Sequence, residues 1–300
     1  MEEVPIYIIG AGPIGTSLAI MISAQQPVTV ILKDDSRKVT NRMVLNLQVK
    51  ELHSENVTIK TSLPSLNGIV FICVKAYDLD ALAQAIRPRL GSKSTLVLTS
   101  NGLDLVSDVQ KIIGDNIPIL RLLPIYGARF IEENLVISGK LSAILGAALN
   151  DKNAKAELSA ILNRSGMELL DSPSIAQAEW EKALINITIN PIASILDREN
   201  GIILANPELK DLAIKLSAEV RFVAKSQGID LSNVSEASLI QRISNSSSNI
   251  NSTLLDIRAK RRTDIEFILG RMIGYGKASK IPTPIAETLY SILLAQRTRS

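Results

Sequence analysis

The chain has 300 residues, 46% of them hydrophobic, and a formal net charge of +3. That length suits one large domain or two ordinary ones with a sizeable core, and so mild a charge argues for neither a nucleic-acid nor a membrane partner. The single cysteine, Cys73, excludes an internal disulfide framework and fits a reducing compartment.

Cys73 lies in an apolar run and reads as a buried strand residue rather than a reactive thiol. No run of about eighteen apolar residues occurs, so no transmembrane helix is expected. The chain opens on two acids and then an apolar strand, unlike a secretory signal. A soluble cytoplasmic protein is the expectation.

The first half alternates strand and helix signals. Pro5–Ile9 is a short apolar run that stops at Gly10, and Ile14–Ala24 follows as a Leu/Ile/Ala-rich helix. Val28–Leu32, Gly68–Val74, Thr95–Thr99, Ile117–Leu123 and Leu141–Leu149 read as further strands. Continuous apolar strands separated by helices predict an α/β fold with a doubly wound, Rossmann-type parallel sheet covered on both faces. Beyond about residue 170 the apolar positions recur at threes and fours. Gln177–Ile195, Glu208–Gln227, Ser235–Ser244, Asn251–Gly274 and Pro284–Gln296 are therefore expected as helices of an all-α second domain. The boundary falls near Asp171–Ser174, giving domains 1–170 and 171–300. The polar run Ser244–Ser252 reads as a loop or the start of a helix.

The first chemical motif is Gly10-Ala11-Gly12-Pro13-Ile14-Gly15. By itself GxGxxG is weak, but here it follows a strand and opens a helix, the context dinucleotide binding requires. Gly10 permits the tight turn, Gly12 lets the backbone approach a pyrophosphate, and Gly15 allows close helix–strand packing. The helix N-terminus at Pro13 and Ile14 supplies free N–H groups and positive partial charge. At the end of the second strand stand Lys33, Asp34, Asp35, Ser36, Arg37 and Lys38. Lys33 backed by Arg37 favours a 2′-phosphate and thus NADP, while Asp34 keeps NAD open. Some of these residues belong to a solvated loop.

Cys73-Val74-Lys75-Ala76-Tyr77-Asp78 and Ser100-Asn101-Gly102 lie at two further strand ends. Ligands bind at that edge of such a sheet, so Lys75 and Asn101 are candidates for contacts to cofactor and substrate. In Trp180–Pro191, WEKALINITINP, Lys182, Asn186 and Asn190 recur every four residues among apolar neighbours. On a helix that spacing places a cation and two amides on one face. Such a face is costly unless it meets partners or a ligand. Asn190 precedes Pro191, which predicts a kink or helix end there.

Taken together, these pieces resemble the ketopantoate reductase family over nearly the whole chain. The matching stretches are IIGAGPIG, CVKAYD, SNG, WEKALINITINP, STLLDIRAKRRTDIEFILG at 252–270 and IPTP at 281–284, in the same order and at similar separations. The resemblance implies an N-terminal dinucleotide-binding domain followed by a helical domain that also dimerises. It implies reduction of 2-dehydropantoate to (R)-pantoate with NADPH, within pantothenate and coenzyme A biosynthesis. It makes Lys182 the general acid, Asn186 and Asn190 substrate ligands, and Ser252 a partner of the substrate carboxylate. Asp264 stands where the family usually carries a Glu that engages a substrate hydroxyl, and is one methylene shorter. Glu266, two residues on, is expected on another helix face. Lys33 stands where the family usually has Arg, which keeps the charge but removes bidentate phosphate geometry.

His53, the single histidine, reads as a surface residue. Arg258, Lys260, Arg261 and Arg262 read as a solvated face, or alternatively as a contact to cofactor phosphates or to a feedback ligand such as coenzyme A. No metal-ligand spacing occurs. Two other readings stay open: a dehydrogenase of another 2-keto or 3-hydroxy acid, and a non-catalytic NADP-binding protein.

Overall fold

Where the sequence runs apolar for four or more residues, the first unit forms its interior strands. β1 (Ile6–Ile9), β2 (Val28–Ile31), β6 (Ile69–Ile72), β7 (Thr95–Leu98) and β8 (Ile119–Pro124) are almost wholly buried. Burial on both faces of a parallel sheet accounts for their largely apolar character. α1 (Pro13–Ser23) joins β1 to β2, and α2 (Leu79–Ile86) and α3 (Leu105–Ile113) lie between β6, β7 and β8 in the chain. Less apolar sequence supplies β3 (Arg42–Leu45), β4 (Gln48–Glu51), β5 (Val57–Lys60), β9 (Gly127–Ile131) and β10 (Asn134–Ser138). β11 (Ser142–Ala147), α4 (Lys152–Arg164) and β12 (Glu168–Leu170) complete the unit. The computed structural model describes residues 4–34, 39–45, 48–147 and 152–297.

The large sheet has the order β12-β11-β8-β7-β6-β1-β2-β5. Six consecutive strands, from β8 to the edge strand β5 in that order, are parallel. β11 runs antiparallel to β8, so the expected all-parallel sheet carries a reversed edge. The reason is the connection: between β8 and β11 the chain makes the antiparallel β9–β10 hairpin and no helical crossover. A second sheet, β4-β3-β10-β9, is absent from the sequence-based expectation. Ile8, Leu18, Ile22, Val30, Phe71, Val97 and Leu120 lie in the core of this unit.

The second unit is helical: α5 (Ile175–Ile195), α6 (Ile202–Ala205), α7 (Pro207–Ser226), α8 (Glu236–Asn245), α9 (Ser252–Arg258), α10 (Arg271–Ala278) and α11 (Pro284–Arg297). Polar side chains start several of them. Asn206 accepts the Leu209 N–H for α7, Ser235 the Ser238 N–H for α8, and Asn251 the Leu254 N–H for α9. The helix expected over Asn251–Gly274 is divided. α9 closes where Lys260 takes a left-handed φ of 54°, with Lys260 N–H on the Ile257 carbonyl and Arg261 N–H on the Asp256 carbonyl. A π-helical turn, Glu266–Gly270, then leads into α10. Trp180, Leu184, Ile187, Leu216, Val220 and Met272 lie in the core of this unit.

By contacts, the chain separates into Met1–Ser100 with Asp104–Ile175, and Asn101–Leu103 with Ala176–Ser300. The short piece Asn101–Leu103 therefore belongs with the helices. Leu103 is buried in their core, its N–H on the Phe267 carbonyl and its carbonyl on Arg271 Nη1. Among the described residues no helix is long and apolar enough to cross a membrane.

Candidate functional site

In the first unit the candidate residues collect at the C-terminal edge of the parallel strands. From β1 the chain runs on through α1 to β2 on one side, whereas from β6, the neighbour of β1 on the other side, it runs on to β7 in the opposite direction across the sheet. Ligands bind at such a switch point in open α/β sheets. Gly10, with φ +100°, turns the chain there, and a Cβ on it would lie 2.9 Å from the Cys73 carbonyl oxygen. Gly15 packs still closer: a Cβ would fall 1.9 Å from the Gly10 carbonyl oxygen and 3.1 Å from Cys73 Cβ. Gly12 differs. A Cβ there would meet nothing nearer than the Cys73 oxygen at 4.0 Å, so its open side leaves backbone free for a ligand.

Pro13 opens α1, Gly12 is its N-cap, and the first turn carries no acidic side chain. The N–H groups of Ile14 and Gly15 have no intrahelical acceptor, and the helix dipole adds positive potential there. This cradle fits a pyrophosphate. Lys33 and Asp34 follow β2 and are exposed. Arg37, expected to back Lys33, lies outside the described residues, as do Asp35, Ser36 and Lys38.

At the end of β6, half-buried Lys75 starts a short 3-10 turn, Ala76–Asp78. The neighbouring Cys73, expected as a buried strand residue, lies one residue past β6 and is half-buried; desolvation of its thiol still pushes it up to about 12, partly offset by a hydrogen bond with Thr99. Thr99 Oγ1 donates to the Ile72 carbonyl (3.1 Å), and Ser100 Oγ donates to the Val74 carbonyl (2.6 Å). From β8, Arg121 donates to the carbonyls of Leu98 (2.9 Å) and Ser100 (2.5 Å). Ser100 stands in the Ser100-Asn101-Gly102 motif without a role of its own, and sequence reasoning gives no role to Thr99 or Arg121. The available signal was one arginine inside the otherwise apolar ILRLLP.

In the second unit Lys182, Asn186 and Asn190 lie on α5 at the expected four-residue spacing. Lys182 and Asn186 are half-buried, and Asn190 is 5% exposed. The helix does not end before Pro191 but runs on to Ile195. Packing of the buried run Ile187–Ala193 outweighs the hydrogen bond that proline cannot donate. Asn190 Nδ2 lies 3.5 Å from Thr253 Oγ1, beside Ser252 at the start of α9. One turn on, Ser194 donates to Asn251 Oδ1 (3.1 Å), and Asn251 donates to Asn200 (3.3 Å). This buried polar ladder ties α5 to the start of α9, where Ser252 is exposed.

The two carboxylates near the π-helical turn have different settings. Asp264 is 8% exposed. Glu266 pairs with Arg262 at 2.6 Å. The neighbouring arginines are engaged as well, Arg258 with Asp197 (2.7 Å) and Arg261 with Asp256 (3.0 Å). His53 is exposed and pairs with Glu55. Asn101 is half-buried and grouped with the helical unit rather than with Lys75.

Known proteins share both halves. Residues 6–150 match the family described as ketopantoate reductase PanE/ApbA, and residues 174–297 match its C-terminal part. The 2-dehydropantoate 2-reductase of Pyrococcus horikoshii is 27% identical, over 98% of this chain and 97% of that protein. The ketopantoate reductase structure from Ralstonia eutropha superposes with a TM-score of 0.87 at 18% identity, over 98% and 99% of the two chains. The dimeric ketopantoate reductase from Staphylococcus aureus gives 0.79 at 21%, over 99% of each. With matches to both parts of the family covering most of its length, the chain belongs to the ketopantoate reductase family.

Proposed function

We propose that this protein reduces 2-dehydropantoate to (R)-pantoate with NADPH, a step toward pantothenate and coenzyme A. The observation that carries the reading is the α5 face, where half-buried Lys182 lies one turn from Asn186 in the part that matches the family's C-terminal half. Bound NADPH supplies the hydride that reaches the ketone carbon. As negative charge grows on the ketone oxygen, the Lys182 ammonium stabilises it and then donates a proton to it. Solvent returns the proton to Lys182 after turnover.

Asn186, Asn190 and Asp264 orient the hydroxy-keto acid, and the Ser252 hydroxyl donates to its carboxylate. The glycine turn from Gly10 to Gly15, with Pro13 and Ile14, holds the pyrophosphate. Lys75 and Asn101 face the nicotinamide end, and Lys33 meets the 2′-phosphate. The exposed lysine supports NADP over NAD, because a cation at that strand end matches a phosphate better than a diol. We further read the enzyme as a homodimer, a reading supported by the dimeric Staphylococcus aureus relative, and as cytoplasmic, a reading that rests on its single cysteine.

The test is NADPH consumption across a panel of 2-keto acids, repeated with NADH. Ketopantoate-dependent loss of NADPH, faster than of NADH, is expected. Cofactor binding without ketopantoate-dependent turnover rejects the reading, and a preference for another keto acid moves the enzyme to that substrate.

A further inference from the structure

Arg121 occupies the middle of β8, in a strand whose six residues are all buried, and is itself 0% exposed. Taking a cation out of water is expensive, and an apolar residue of similar size serves a sheet core at least as well. Its guanidinium reaches along β7. Leu98 pairs with Arg121 in the parallel ladder, and the side chain donates to the carbonyls of Leu98 and Ser100. Those carbonyls are two residues apart and point the same way along an extended chain. The arginine fork thus continues the ladder past the end of backbone pairing. A planar donor with several N–H groups in fixed geometry can hold two acceptors at once, which an ammonium does less well.

Arg121 holds the backbone of Ser100, and the Ser100 hydroxyl in turn holds the Val74 carbonyl. Val74 directly precedes Lys75, and Ser100 directly precedes Asn101. We propose that Arg121 is a positioning residue for the cofactor-binding edge, fixing through Ser100 the two strand-end turns that present Lys75 and Asn101. This rests on the proposed function for the identity of the ligand and on the hydrogen bonds alone for the coupling.

The test compares Arg121→Lys, Arg121→Met and Ser100→Ala with the wild-type enzyme. Three readouts are needed: amide hydrogen exchange without cofactor, NADPH affinity by fluorescence, and kcat against KM. In Arg121→Lys and Ser100→Ala we expect faster exchange confined to residues 74–76 and 98–103. We also expect NADPH affinity to weaken by about tenfold, with a smaller change in kcat, on losing a hydrogen bond that organises the site. If Arg121→Met does not fold, the lysine and serine variants carry the decision. Unchanged affinity and exchange in those folded variants overturn the proposal, as does faster exchange spread evenly over the sheet, which marks a purely structural residue. If the wild-type enzyme binds NADPH but ignores ketopantoate, only the functional reading fails. If it binds no NADPH, that reading again fails, and the exchange pattern alone decides the coupling.

Discussion

Gly15 sits so close to Gly10 that a single methyl group on it would lie 1.9 Å from the Gly10 carbonyl oxygen, whereas at Gly12 the same methyl meets nothing within bonding distance. Two glycines of one motif therefore have separable roles. Gly15→Ala should destabilise the first unit by about 1–3 kcal/mol, the range for forcing extra volume into a packed interior. Gly12→Ala, with φ −70° at that position, should melt normally and lose NADPH affinity. Urea unfolding together with fluorescence titration separates them. Equal stability losses in both variants would refute the distinction.

Lys182→Ala should lower kcat by about a hundredfold or more, the usual loss when a general acid is removed. NADPH affinity should be unchanged, because the cofactor cradle lies on Gly10–Gly15. Stopped-flow turnover at saturating substrate reads this, and near-normal kcat removes Lys182 from the proton-donor role.

Glu219 on α7 accepts the N–H groups of Ile285 and Ala286, each at 2.9 Å, at the start of α11. A carboxylate brought from another helix thus satisfies two otherwise orphaned donors and meets the positive end of the dipole. Glu219→Ala should cost about 1–3 kcal/mol, the penalty for leaving buried donors unmet. Glu219→Gln should cost less, since it keeps an acceptor. Denaturant midpoints of the two variants check the order, and an alanine variant as stable as wild type contradicts the cap.

The Cys73 thiol is pushed by burial from an ordinary value of 9.0 to about 12, and the Tyr126 hydroxyl, also by burial, from 10.0 to about 12. Both ionise first in the unfolded chain. Loss of those protons from the unfolded chain favours unfolding as pH rises, so stability falls between about pH 9 and 12 and is insensitive to these groups below that window. Melting temperature should decline over the accessible part of that range, less steeply in Cys73→Ala. At pH 8 the folded protein should resist a disulfide exchange reagent that labels it once unfolded. Prompt labelling of the native protein would show the thiol to be open.

Much of this fold is written in short apolar runs. IYII, IVFI and TLVL announce strands because burial on both faces leaves no room for polar alternation. The second sheet escapes the same reading. QVKE in β4 is exposed throughout and GARFI in β9 is partly so, which leaves no continuous apolar signal. The direction of β11 depends on the chain before it, not on its own residues. The break after Arg258 depends on one left-handed lysine, a conformation that lysine rarely adopts and sequence seldom betrays. At the candidate site, the glycine pattern and the four-residue spacing on α5 are local and legible. Arg121 there, and Glu219 away from the site on α7, are not, because each is a single charge whose partners, two carbonyls in one case and two N–H groups in the other, come from distant sequence.

Leu103 carries a consequence for how such a protein can be rearranged. It is 1% exposed in the helical core, yet it is encoded more than seventy residues before α5. A fragment starting at Ala176 would begin life with a gap in its own interior and with Phe267 and Arg271 missing the backbone they bind. The two halves are therefore not interchangeable cassettes joined at one seam. A chimera that borrows a relative's helical half must also borrow its counterpart of residues 101–103, and drift in either stretch constrains the other.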